Sequence, residues 1–434
     1  MNKLEKTMKA IGMFSMAIIF AAAFVACEKD NDNGPGNGDN GDNGDNGTDE
    51  TLSGEISGTL EKGTYVVSGD LLVPEGEELI LEPGVIFAFD GDGLSPDTSP
   101  ELQLHGNLVA VGTAEEPIMF TVVEEKRDPD NAYEGLWGGI QAMSSCEHLI
   151  LKHTIIEYSG GPARQSEAYD AGDPRYTIHF ANPEGVLVFK NSIIRNLADD
   201  GIRPQGGAQM AIVNNIFYNI GETGGEGINI KDGSVGVVAY NLFYSMATNG
   251  SKPAGEGDGV PQTDIDTYNN TFINSGFRRA QSGRGGSINY EQGAKGQIFN
   301  NLIVNCRFGI RMRGDRLPDL DNIEYDHTHY YAYDETDQEN FWPTTDLDDD
   351  GNPITYEKPG DIIQEDPLFV NYDVNTDKNT AIPDDSWSFY LTSDSPGLTA
   401  GTTDFEPTIS SLTAGGITIS IPGPSAFIGA YGAE

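Results

Sequence analysis

The chain has 434 residues and carries 25 Lys plus Arg against 68 Asp plus Glu, a formal net charge of -43. Phosphate binding depends on basic neutralisation, so this charge excludes nucleic acid as a partner and disfavours anionic membrane surfaces. The 54 glycines and the charged fraction of 21% favour turn-rich β structure over helical bundles, in a chain long enough to bury a large core.

At the N-terminus, Lys3, Lys6 and Lys9 precede an apolar run from Ala10 to Ala23, and Phe24-Val25-Ala26-Cys27 follows. The apolar run is short for a membrane span of ~20 residues, and a small residue precedes the cysteine. The segment resembles the lipobox of bacterial lipoproteins, although Phe24 stands where Leu is usual. The resemblance implies that residues 1–26 are a signal peptide, that Cys27 is acylated, and that the lipid anchors the protein to the outer membrane; a cleaved signal with a chance cysteine is the alternative. Residues 27–50, rich in Gly, Asn and Asp, have little apolar surface to bury and are expected to form a disordered tether. The acidic start Glu28-Lys29-Asp30-Asn31-Asp32 resembles the surface-export signals of lipoproteins in glycan-foraging Gram-negative bacteria. This implies a position facing the cell exterior, with the periplasmic face as the alternative.

Residues 51–125 contain short β-prone runs, among them Tyr65-Val66-Val67, Leu79-Ile80-Leu81 and Leu108-Val109-Ala110, separated by Gly and Pro turns. An N-terminal β cap and first coils are expected there. From 126 to 316 an apolar residue opens a short strand at Ile140, Ile178, Ile202, Ile228, Val260, Ile288 and Ile310, often after Gly. A polar landmark follows each of the first six, at His153, Asn191, Asn215, Asn241, Asn270 and Asn301, and two or three apolar residues come after it. Repeats of this length indicate a solenoid whose coils bury their inner faces only by stacking. The asparagines are expected to form a ladder at a turn, with a second ladder at Asn219, Asn274 and Asn305. The stretch from Val73 to Phe120 and the segment Gly135-Leu136-Trp137-Gly138-Gly139-Ile140 resemble the opening coils of bacterial parallel β-helix proteins. Asp366-Pro367-Leu368-Phe369-Val370 and Ile428-Gly429-Ala430-Tyr431-Gly432 resemble closing segments in the pectate-lyase-like superfamily. The expected fold is therefore an all-β, right-handed parallel β-helix, with residues 317–434 as acidic, loop-rich closing coils. Five coils separate Cys146 from Cys306, over 20 Å at ~4.8 Å per coil, which predicts two unpaired, buried thiols.

Strand alternation sends the residues one and three beyond each coil start outward. They form a polar, partly cationic stripe including His179, Arg203, Asn229, Lys231, Asn289, Arg311 and Arg313, in a region (203–316) that holds 11 Lys plus Arg against nine Asp plus Glu. Such a stripe suits uronate or sulfate groups; a merely solvated face is the alternative. Beside it, Asp200, Glu226 and Asp258 precede the coil-start glycines and would stack about 5 Å apart. Close carboxylates raise one another's pKa, as the acid and base of glycoside hydrolysis require. They could instead hold a Ca²⁺ that binds a uronate, with Lys231, Arg203, Arg311 or His179 serving β-elimination. Plain turn residues are the third option. Tyr218 and Tyr244 are candidate sugar-stacking platforms, or else pack beneath loops or the C-terminal tail.

Asp346, Asp348, Asp350, Gly351, Asn352 and Glu357 follow the spacing D-x-D-x-D-G-x5-E of a calcium loop. Pro353 within it and Trp342-Pro343 before it argue against helix-loop-helix geometry, so an acidic surface loop is the alternative. Three functions fit: a monomeric surface protein that binds an extracellular, acidic polysaccharide, a polysaccharide lyase or glycoside hydrolase, and a non-catalytic structural or adhesive protein. No long catalytic signature chooses between them.

Overall fold

The computed structural model describes residues 50–166, 168–255, 261–281, 284–313, 316–341 and 362–434. Cys27 and its tether, Asp258, Val260 and the calcium-loop candidates Asp346, Asp348, Asp350, Asn352 and Glu357 lie outside the described residues.

From residue 50 the chain winds through three strand positions per turn. In one turn it runs through Ile178–Phe180, Val186–Lys190 and Ile193–Leu197, and in the next through Ile202–Pro204, Gln209–Val213 and Ile216–Ile220. Each strand pairs in parallel with its counterpart one turn away, so three parallel stacks form the walls of a β-helix. We call them the first, second and third sheets in the order the chain visits them. The long strand Gly63–Val73 runs through two of them, its first half pairing with Val85–Phe89 and its second with Leu102–Leu104, and strand Glu50–Glu55 pairs with both halves on its other side.

Register follows the inward residues. Leu71, Leu102, Ile140, Ile178, Ile202 and Ile228 stack in one inward column of the first sheet, all essentially inaccessible. In the third sheet Phe217, Phe243 and Phe272 stack with ring centroids 4.7 and 4.8 Å apart, which is the rise of one coil. β-Branched and aromatic side chains at a spacing that repeats every coil thus produce a continuous core rather than separate clusters.

Two sequence expectations need correction. The coil between Ile228 and Ile288 starts at Ser251, whose strand Ser251–Pro253 pairs with Ile228–Ile230; Val260 is not the start. Its inward residue is a serine, invisible to a hydrophobic period. The asparagine ladder is shifted by one residue in two coils. Asn215, Asn241, Asn270 and Asn301 do form it, each Nδ2 donating to the next Oδ1 at 2.9 to 3.1 Å and a backbone carbonyl as well. In the preceding coils Ser192 and Thr154 hold that place, while His153 and Asn191 sit one residue earlier in the left-handed conformation, with φ of 49° and 52°. Asn tolerates that conformation better than most residues, which explains its presence in both columns. In the second proposed ladder only Asn219 bonds directly to a neighbouring asparagine, Asn196, at 2.8 Å; Asn274 turns to Tyr244 and Tyr372, and Asn305 to the carbonyl of Val374.

Among the described residues, the C-terminal segment packs on two of the three outer walls. Phe405, Leu412, Ile419 and Ile421 pack on Val188, Ala211 and Val237 of the second sheet. Phe369, Tyr372, Phe389, Leu391 and Ile428 pack on Leu242, Tyr244 and Ile273 of the third. Neither cluster includes a residue of the first sheet. Cys146 and Cys306 are free and buried, as their coil separation predicts, and burial pushes both thiols up to about 12.

Candidate functional site

The connection from the third sheet back to the first varies in length from coil to coil. It is short at 198–201, 221–227 and 247–250, and long at 158–177 and 274–287. The three short connections lie side by side between the two long ones, leaving a cleft of about 210 Å³. Asp199, Asp200, Glu226, Thr248 and Asn249 form its floor, Tyr176 comes from one long connection, and Arg279 and Arg284 from the other. Arg203 and Asn229 reach it from the first sheet. Gly225, at φ +124°, keeps the connection flat, for a Cβ there would lie 3.0 Å from the backbone of Asp199.

Stacking brings Asp200 and Glu226 together as the sequence suggests. Asp200 is buried; its Oδ1 accepts from the backbone N–H of Glu226 and its Oδ2 from Asn229 Nδ2, both at 2.7 Å. Burial, then the charges of Glu226 and Asp199, hold Asp200 well above the usual carboxylate range, which favours its protonated form. Burial works against ionisation of Glu226 too, but Lys252, Asp200, Lys231 and Arg279 outweigh it and hold Glu226 low. Asp199, beside them, is pushed up to about 6 by burial and by Glu226, with Arg279 opposing. Lys252 Nζ lies 3.7 Å from Glu226 and 3.0 Å from Glu291, whose other cationic neighbour is Lys231 at 3.8 Å. The cleft therefore holds three carboxyls with separated proton affinities, as acid and base work requires.

Asp199, Tyr176, Lys252, Arg279 and Arg284 were missing from the sequence expectations. Lys252 is outward-facing on the strand that the Val260 assignment displaced, and the others sit on connections, where no period marks them.

Other candidates fall elsewhere. His179 aligns with Gln141 and Arg203 in the outward column, but Tyr169 and Tyr176 cover it. Burial, then Arg203, lowers its pKa to about 4, so it is a neutral packing residue rather than a cationic contact. Arg203 stacks on Tyr176, 4.6 Å from the ring centroid. Lys231 is buried against Glu291 and Gln292, and Arg311 is buried over the Phe308 ring at 4.2 Å; neither lines the cleft. Asn289 is half-buried and donates to Glu291, and Arg313 is exposed beyond it. Tyr244 is fully buried under Trp387, Tyr372 and Phe389, and half-buried Tyr218 accepts a hydrogen bond from Arg195 on the third sheet. Neither tyrosine is a sugar platform, because the tail occupies that wall. No group of three or more potential ligands suited to a metal ion occurs among the described residues.

Residues 130–272 and 175–322 match the family model described as right handed beta helix region, which spans the coils that build the cleft. No curated protein and no solved structure matches the chain. The fold is a right-handed parallel β-helix.

Proposed function

We propose that the protein binds and cleaves an extracellular polysaccharide bearing carboxylate or sulfate groups, at the cleft between residues 158–177 and 274–287. The observation that carries this reading is the trio Asp199, Asp200 and Glu226, with split proton affinities, in a cleft beside the wall that neither cluster of the described tail includes. Arg203, Arg279 and Arg284 line the same cleft with no carboxylate within 4.0 Å among the described residues, so their charge is available to an anionic sugar. Asn229 Oδ1 is buried without a partner among the described residues and suits a sugar hydroxyl. Ionised Glu226 accepts a proton or activates water. Asp199 donates one to the departing oxygen, and neutral Asp200 keeps charge from accumulating between them. Both oxygens of Asp200 are engaged by the backbone N–H of Glu226 and by Asn229, so Asp199 rather than Asp200 is the partner of Glu226. The export signal and Cys27 would place this activity at the outer membrane, facing outward.

The test is incubation with polygalacturonate, alginate and chondroitin sulfate, following reducing ends and absorbance near 230 nm. Glu226→Gln and Asp199→Asn should each lower the rate by roughly 10²–10⁴-fold. The rate should fall above pH 6 as Asp199 loses its proton, and again in acid as Glu226 gains one. Retention of all three polymers without new ends would make the protein a binder; wild-type rates in both variants would remove the mechanism.

A further inference from the structure

A β-helix offers a long cylinder along which a polymer can lie across many coils, and the sequence suggests such an elongated surface. The structure interrupts it. Four coil steps, about 19 Å at ~4.8 Å each, separate strand Ile178–Phe180 from strand Ile288–Tyr290, and a long connection rises at both limits. The first is built to stay in place. Arg175 forms a buried ion pair with Glu101 at 2.7 Å, the strand-like contact between Pro162 and Pro174 closes its base, and Tyr169 donates to Gln141 at 2.7 Å while stacking behind Tyr176. The second contributes Arg279, tied to the carbonyl of Thr223, and Arg278, which donates to the carbonyls of Ile220, Gly221 and Ser245 across two coils. Between these walls the 210 Å³ cleft falls below the ~300–1,000 Å³ of pockets that enclose drug-sized ligands, room for about one or two sugar rings.

We infer that the cleft receives the end of a polysaccharide chain rather than an internal stretch, with residues 158–177 and 274–287 as the stops that set this mode. The inference rests on the proposal that the cleft takes a charged polysaccharide. It concerns how that polymer enters.

Binding can test it without turnover. Polygalacturonate, alginate and chondroitin sulfate are presented to the Glu226→Gln protein at native length and after shortening to a tenth of that length, at equal mass. A site for chain ends should half-saturate at about tenfold lower mass concentration of the shortened polymer, because ends per gram rise tenfold. Equal half-saturation at both lengths would show that internal segments bind, overturning the inference while leaving the functional proposal intact. No binding of any polymer at either length would overturn both. Replacing residues 164–172 with two glycines, or Tyr169→Ala as the milder change, should bring the length dependence toward one in protein whose circular dichroism is unchanged. A persistent tenfold difference in both folded variants would overturn the role given to the first stop.

Discussion

At the scale of single residues, the cleft stores a cost that pH reveals. The folded state holds the Asp199 proton to about 6, above the ordinary value of 3.8. A carboxyl raised in this way contributes stability below pH 4 and loses it as pH climbs through 6, where the folded protein must carry an ill-solvated charge. Asp199→Asn should therefore melt at a higher temperature than the natural chain at pH 7.5, with the difference closing toward pH 4. Parallel melting curves at the two pH values read this directly, and an equal difference at both would show that Asp199 is not perturbed. Asp200 and Glu226 were legible in the sequence because each precedes Gly-Ile at a coil start. Asp199 was not, since it adds no period of its own and its significance comes from the carboxyl one coil away.

At the scale of elements, the coil is the unit, and two kinds of column hold it to its neighbours. Asn241→Ala leaves the backbone N–H of Asn215 without its partner in a dry interior and takes one of two donors from the Oδ1 of Asn270, which keeps the backbone N–H of residue 241, at a cost of about 1–3 kcal/mol for the unpaired group. Phe243→Ala opens a gap between two stacked rings and should cost about 3–5 kcal/mol. Urea titration of both variants checks the order. Equal, small losses would mean that the coils relax around a missing rung. These columns also show what a linear pattern can and cannot deliver. Ile202, Ile228 and Ile288 announced their coils because the inward position of a strand selects branched apolar side chains. Ser251 hid its coil for the same reason. The one-residue slip at Asn191 arose because the left-handed residue and the ladder residue are adjacent, and asparagine suits both; Asn214-Asn215, Asn269-Asn270 and Asn300-Asn301 carry the pair side by side.

At the scale of the whole molecule, the tail decides which wall is free. The polar stripe marks the outer face of the first sheet, but the sequence could not show that Tyr244 is covered while Arg203 is not, because that depends on where residues 369–391 and 405–421 return. The hairpin Ser411–Ala414 and Ile417–Ser420 lies on the second sheet through Leu412 and Ile419. Substituting both by Asp should remove about 3–6 kcal/mol of apolar burial and expose Val188, Ala211 and Val237. Lowered thermal stability with new binding of a hydrophobic dye is the expected result, and an unaltered melt would mean that the hairpin merely rests there.

The same tail has a mechanical consequence. In a bare solenoid each coil grips only the next, so a pull on one end peels turns away singly, each at its own small force. Here Lys190 donates to the carbonyl of Ser420, Tyr240 to that of Gly423, Gln297 to that of Glu406 and Asn300 to that of Thr402. A single returning stretch thus ties turns that are not neighbours, in the manner of a batten nailed across planks. Stretched between its ends, the cylinder should hold until this batten lifts and then yield several turns at once.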